Sequence, residues 1–403
     1  MNKLTTNFLA ILTGVGLASN VIAIDELHSF SAGEAALASE VNENFEYLED
    51  KIDDVVTGYS TLTIDCGADE YALKDYLDEA RWAGRLNIYV EGTCTGEIYF
   101  NKDDVYIFDA VIQADADGAA VSVAGKTNIR FYDTVISSGT VAIRRESYVR
   151  FEGVDSGMGF ELPALSADSD GIYEPSLEVR SSTLRIGSGT ISNLSLKAMG
   201  ASFVYINDDV VLDNAYQIWL ESGSALDSSI DLSILGTAGV FSGSVLQAES
   251  LSSAEAYVEK NALIETDAIS TTGEFYLADN ATVHTEDLDV GSMELERGSV
   301  LSSTDIDTTG NVEVKTNSVL TTDYMTTGDL RVSTGSVLYA YETLEGVGIS
   351  CWVGTLAIGD LTLTGYANEG DSSYSLESYD CNGNIDNSTL SNGSFNTGSL
   401  ALQ

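Results

Sequence analysis

Aspartates at a fixed step are the first residues whose type and spacing point to chemistry. Asp287, Asp305 and Asp323 stand 18 residues apart, and Asp289 and Asp307 repeat the step beside them. If that step is one turn of a stacked coil, the carboxylates lie about 4.8 Å above one another. Two unit charges at ~5 Å repel by about 0.8 kcal/mol in water, and by more near a protein surface. Bound Ca2+ or high salt would offset such a ladder. Asp287, Asp289, Asp305, Asp307 and Asp323 are therefore candidate Ca2+ ligands. The competing reading is that irregular coil lengths spread them apart.

A second set is basic and aromatic. Fourteen of the 18 Lys and Arg precede or stand at Lys197. Among them Tyr99, Tyr106, Tyr132 and Tyr148 alternate with apolar residues, close in sequence to Arg130, Arg144, Arg145 and Arg150. Arg144, Arg145, Tyr132 and Tyr148 are candidate ligand-binding residues for an acidic polysaccharide. The plainer reading is tyrosines in ordinary exposed strands, since Tyr is a common strand former.

No catalytic residue is assigned. His284 sits in Thr282-Val-His-Thr-Glu286 and His28 near the start, neither inside a partner motif. The pairs Asp103-Asp104 and Asp208-Asp209 are expected by chance among 63 acidic residues. The Asp-x-Asp-Gly pieces ending at Gly118 and Gly171 lack the rest of an EF-hand loop. No nucleophile elbow, phosphate loop or dinucleotide fingerprint is present.

Composition sets the context. Sixty-three acidic against 18 basic residues give a net charge of −45, which repels nucleic acid and anionic lipid. Lys3, the apolar run Phe8 to Leu17 and the small residues up to Ala23 have the layout of a secretory signal peptide, with cleavage expected after Ala23. The run is too short and too broken by Thr13, Gly14 and Gly16 for a spanning helix. No transmembrane segment is expected in the mature chain, which is expected to be secreted or surface-associated. Four cysteines suit an oxidising compartment. They allow three connectivities; the sequence-local pairs Cys66/Cys94 and Cys351/Cys381 are favoured over metal binding, because no CxxC spacing exists.

The elements that must position these side chains come from a repeat. Gly243-Ser-Val-Leu246, Gly298-Ser-Val-Leu301, Asn317-Ser-Val-Leu320 and Gly335-Ser-Val-Leu338 recur, with Thr-Thr-Gly at 271–273, 308–310 and 326–328. Three apolar columns follow: Val245, Leu263, Val283, Val300, Val319 and Val337; Leu251, Ile269, Leu288, Ile306 and Tyr324; Val258, Leu277, Leu295, Val314 and Val332. Steps of 17 to 20 mean stacked units, none of which buries its apolar face alone. Within a unit the period is two, as in Asn311-Val-Glu-Val-Lys315, which is a half-buried strand bounded by turns. Three short strands and three turns fill the period. The expected fold is all-β, a single-stranded right-handed parallel β-helix, with its apolar columns facing inward.

The run Cys66 to Asp109 carries a resemblance. It places Leu73, Leu77 and Ala80 at helical spacing before Ile88-Tyr-Val-Glu-Gly-Thr-Cys94 and alternating strands. It resembles the N-terminal cap of right-handed β-helix proteins of the pectate-lyase-like superfamily. That superfamily holds polysaccharide lyases, glycoside hydrolases, tailspikes and adhesins, so the fold does not choose an activity. Pectin-hydrolysing members carry Gly-His-Gly and Arg-Ile-Lys motifs; here Arg185-Ile-Gly187 is the nearest approach and lacks the Lys. A second segment, His28 to Phe45, resembles the Phe-x-Ala-Gly and Glu-Val-Asn-x-Asn-Phe stretch found after the signal peptide of many exported bacterial proteins. Within and beyond it Leu37, Val41, Phe45, Leu48, Ile52 and Val55 form one helical apolar stripe, either packed on the β-helix or pairing as a homotrimeric coiled coil.

The expected organisation is a signal peptide (1–23), a helical segment (24–60), a parallel β-helix with a cap helix near 70–83 (61–345), and a disulfide-stapled cap with an Asn/Ser/Gly-rich tail from Asn382 (346–403). The expected function is a non-enzymatic adhesin-like or polysaccharide- or matrix-binding module; the alternative is a polysaccharide lyase or glycoside hydrolase on an acidic polymer. The aspartate ladder predicts a lower thermal midpoint in EDTA at low salt than with added Ca2+. An unchanged midpoint removes the cation hypothesis.

Overall fold

The computed structural model describes residues 59–79, 84–115, 118–153, 159–164, 174–364, 375–391, 394–397 and 399–402. The expected signal peptide, the apolar stripe of residues 37–55 and the trimer reading lie outside them. The described chain is a parallel β-solenoid of about 14 turns. The expected cap helix is described over Ala72–Glu79 and buries Leu73 and Leu77 over the first coils; residues 80–83 of the expected span lie outside the described residues. The Asn101 amide donates to carbonyls in its last described turn, Leu77 O at 3.1 Å and Asp78 O at 3.2 Å.

Each full coil contributes a strand to three faces. The first face stacks Arg85–Glu91, Val105–Phe108, Ile129–Tyr132, Tyr148–Glu152, Thr183–Ile186 and Phe203–Ile206 in parallel register. It continues through Val245, Leu263, Thr282, Val300, Val319, Val337 and Thr355. The third face carries Val258, Leu277, Leu295, Val314 and Val332 as one unbroken buried column, as expected.

The other two columns need correction. Val300, Val319 and Val337 do stack directly, but only half-buried. The fully buried row is one residue further on: Leu246, Ile264, Val283, Leu301, Leu320 and Leu338. Val283 thus belongs to this row, because the coil from Leu263 to Thr282 is one residue longer than the coil from Val245 to Leu263. On the second face Leu251, Ile269, Leu288 and Ile306 continue to Met325, and Tyr324 points out, 47% exposed. A one-residue slip turns every side chain to the other face.

The phase is set at the corner. Ser147, Ser182, Ser202, Ser224, Ser244, Ser299, Ser318 and Ser336 each immediately precede a first-face strand, and all are buried. Ser202 N, Ser224 N and Ser318 N each donate to the serine Oγ of the next coil at 3.2 Å. The serine thus takes the first inward position and pushes the following Val outward. Before it the chain takes two positive-φ residues, for example Thr316 and Asn317, or Thr334 and Gly335. At the Thr-Thr-Gly corner the coils meet backbone to backbone: a Cβ on Gly310 would lie 2.5 Å from Gly291 O.

Both disulfides have the local pairing, with Cα–Cα distances of 5.0 Å for Cys66–Cys94 and 6.1 Å for Cys351–Cys381. The segment expected as a tail is not one throughout. Asn382–Leu390 lies in parallel register on Thr355–Leu363, and Ala401–Leu402 on Asn384–Ile385.

The corner geometry predicts opposite outcomes for two neighbours. Leu320→Ala empties the interior and is expected to cost about 3 kcal/mol. Val319→Ala trims a half-buried side chain and is expected to cost below about 1 kcal/mol. Denaturant unfolding of both variants checks this; a larger loss at Val319 would contradict the phase.

Candidate functional site

On the first face the inward residues of successive N-terminal strands, such as Ile129 and Phe131 or Val149 and Phe151, fill the core. The outward residues form two columns. One reads Asn87, Tyr106, Arg130, Arg150, Arg185 and Tyr205. The other reads Tyr89, Phe108, Tyr132 and Glu152.

The rings of the second column stack on one another. Tyr89 and Phe108 lie 4.7 Å apart and Phe108 and Tyr132 4.6 Å apart, within 14° and 5° of parallel. The stack covers both faces of Phe108 and one face each of Tyr89 and Tyr132. In the first column the Tyr106 ring is contacted by two guanidiniums, Arg85 and Arg130, each 4.7 Å from its centre. Arg185 stands 5.3 Å from the Tyr205 ring. Such contacts hold a cation without neutralising it.

Hydrogen bonds complete the hold on Arg130. Its Nε donates to Asn128 Oδ1 at 2.9 Å, and the Asn128 amide donates to Asp104 Oδ1 at 2.6 Å. Nη1 donates to the Tyr132 hydroxyl at 3.4 Å. Burial works to lower the Arg130 pKa, but the Tyr132 bond and the nearby Tyr106, Tyr132 and Glu152 together raise it, so the charge persists. Arg150 forms an ion pair with Glu152. The Nε atoms of Arg150 and Arg185 are buried without a hydrogen-bond partner among the described residues. Arg85, Arg130 and Arg185 form no ion pair among the described residues.

The sequence-predicted binding residues divide. Tyr132 belongs to this face, and Tyr148 begins one of its strands, half-buried. Arg144 lies around the corner on the third face, bound to Glu178 at 3.1 Å. Arg145 sits in the corner itself at φ 60°. Arg85, Tyr89, Phe108 and Tyr205 were not singled out, and Arg185 was noticed only as part of Arg185-Ile-Gly187, not as a binding residue. The signal was available only through register: the steps from Tyr106 to Arg130, from Arg130 to Arg150 and from Arg150 to Arg185 are all unequal, so no fixed period links them.

The aspartate ladder is shorter than expected. Asp287 pairs with Asp305 and Asp289 with Asp307, all exposed. Asp323 leaves the column, because the next coil is one residue longer and places Tyr324 over Asp305 and Thr326 over Asp307. No group of three or more His, Cys, Asp or Glu is placed to hold a metal ion among the described residues. His284 stacks between Glu265 and Ser302 and lines an open groove of about 390 Å³ with Glu265, Asp267 and Glu286.

The third face handles its charge with cations. Lys315 binds Glu294 at 3.1 Å and also Glu313, Arg331 reaches Glu313 at 3.3 Å, and Arg297 binds Asp279 and Glu296. Tyr257 and Tyr276 are pushed up to about 12, first by burial and then by hydrogen bonds to Glu255 and Glu296. Burial, then Glu294 and Glu255, raise the Glu274 carboxyl above its usual range, against a lowering pull from Lys315.

The chain matches no family model, no curated protein and no solved structure. No helix among the described residues is long and apolar enough to cross a membrane.

A carboxyl raised by folding destabilises the fold once ionised; the penalty is full above its folded pKa and fades as pH falls toward the unfolded value of about 4.3. Glu274→Gln is therefore expected to raise the thermal midpoint at pH 7 and to lose that advantage by about pH 4. Equal gains at both pH values would contradict this assignment.

Proposed function

We propose that this is an exported protein whose N-terminal coils bind an acidic polysaccharide through the arginine and tyrosine face, as a non-enzymatic surface or matrix module. The signal-peptide layout and the two disulfides support export. The observation that carries the binding reading is that Arg85, Arg130 and Arg185 are held by tyrosine rings, not carboxylates, in a chain of net charge −45. With 63 acidic residues at hand, cations kept out of ion pairs are left for a ligand. Guanidiniums pair carboxylate and sulfate in a flat, two-pronged fashion.

The net charge does not overrule the patch. From Arg185 the column passes Tyr205, Asp227, Gln247 and Glu265 before His284. The carboxylates of this column, Asp227 and Glu265, are two and four coils from Arg185, about 10 and 19 Å, or roughly one and two screening lengths at physiological salt. A ligand on the arginines is shielded from most of the acidic half.

The test is calorimetric titration with polygalacturonate, alginate and a sulfated glycan, against neutral dextran. Binding of an acidic polymer is expected, weakening from about 0.1 M to about 1 M salt. The double variant Arg130→Gln/Arg185→Gln is expected to lose at least about tenfold in affinity, or about 1.4 kcal/mol, while Arg297→Gln keeps it. Unchanged binding by the double variant overturns the site. Release of unsaturated or reducing ends from the polymer overturns the non-enzymatic reading in favour of a lyase or hydrolase.

A further inference from the structure

At the corner between the third and first faces the last residue of the turn is polar in coil after coil. The pairs there are Phe241-Ser242, Glu259-Lys260, Ala278-Asp279, Glu296-Arg297, Lys315-Thr316 and Ser333-Thr334 on successive turns, with Ala278 buried and Phe241 packed on Trp219. One turn breaks the pattern with Trp352-Val353, and Tyr379 stacks on Trp352 from the next. All three side chains are about half exposed, at 54%, 57% and 46%. Val353 also holds φ 56°, a conformation that a β-branched residue rarely adopts. An apolar, strained residue is thus kept in water at a position that other coils fill with polar ones.

The site is small and stands beside a disulfide. Cys351, next to Trp352, is bonded to Cys381, two residues after Tyr379. The Trp352 and Tyr379 rings lie 4.8 Å apart at 51°, forming a tilted pair. The Tyr379 hydroxyl donates to Glu377 Oε1 at 2.7 Å, and Asp380 stands exposed beside it. Three half-exposed side chains present on the order of 300 Å², well short of the about 800 Å² per partner of a stable protein interface. The dimensions suit one or two sugar rings.

We propose that Trp352, Val353 and Tyr379 form a second carbohydrate site, selective for a neutral sugar chain and separate from the arginine face. The C–H face of a pyranose packs on electron-rich aromatic faces. Glu377 and Asp380 accept hydrogen bonds from its hydroxyls and repel anionic sugars. A chain with both sites joins an acidic polymer to a neutral one.

The experiment titrates the full-length protein with neutral hexasaccharides of β-1,4-glucose, β-1,4-xylose, β-1,4-mannose and β-1,4-N-acetylglucosamine, with hexagalacturonate as the charged control. Binding is followed by calorimetry and tryptophan fluorescence. At least one neutral chain is expected to bind, with affinity reduced at least about tenfold by Trp352→Ala and by Tyr379→Ala, and largely kept by Trp352→Phe. Thermal unfolding of each variant controls for the fold. Arg130→Gln/Arg185→Gln is expected to leave this binding unchanged, which separates it from the acidic-polymer site. The proposal is overturned if no neutral chain binds, if Trp352→Ala binds as well as the native chain, or if the patch instead supports self-association that Trp352→Ala abolishes in sedimentation.

Discussion

A parallel coil makes its strand hydrogen bonds with the coils before and after it, so each residue is held directly over the one a full turn earlier. That vertical register is the constraint from which the other features follow. Every outward or inward choice is repeated at a spacing of about 4.8 Å, so like side chains form ladders whether or not stacking suits them. Apolar ladders gain from it, and Leu246 through Leu338 run as a dry interior row. Corners carry backbone groups that the sides do not leave free. Buried hydroxyls serve them: serines before the first face, Thr285, Ser303 and Thr322 at the next corner, and Thr271 and Thr308 at the third.

The same constraint makes charge the main difficulty of this chain. A net −45 stacked at rung spacing must be diluted, neutralised or screened. On the third face Lys315, Arg331 and Arg297 are set among glutamates and neutralise them. On the second face directly stacked aspartates occupy two adjacent coils, between Ala268 and Ser270 on one side and Tyr324 and Thr326 on the other, and the same column reaches its next aspartate, Asp360, two coils beyond Tyr324. Near the N-terminus the rule inverts: three arginines stack in successive coils, and rings, an amide and one carboxylate hold them apart from the acidic surplus. Like-charge stacking at this spacing is unfavourable by itself, and the ring, amide and carboxylate contacts offset it.

Much of the architecture was legible in the sequence because columns at a step of 17 to 20 and a local period of two are direct consequences of register. The third-face column from Val258 to Val332 was correct at every position. The first-face column was displaced by one residue, because sequence hydrophobicity ranks Val300 and Leu301 alike while Ser299 reads as polar and therefore outward. Only the buried hydrogen bonds along the serine column show that Ser299 is the inward residue. Asp323 and Tyr324 were misplaced by a coil one residue longer than its predecessor. The arginine face was seen in part, through Tyr132 and the nearby Arg130 and Arg150, and Arg144 and Arg145 were drawn into it by proximity in sequence although the corner turns them away. Unequal coil lengths between the arginines hid the place of Arg185 on this face, although its Arg-Ile-Gly stretch was noticed.

The register itself is open to direct measurement. Spin labels placed in pairs at Val300 and Val319, and at Val300 and Val337, would report separations of one and two coils by electron paramagnetic resonance. The stack requires strong dipolar broadening for the first pair and a backbone separation of about 10 Å for the second. A separation beyond about 15 Å for the one-coil pair, as strands joined by hairpins would give, contradicts the solenoid and with it both proposed carbohydrate sites.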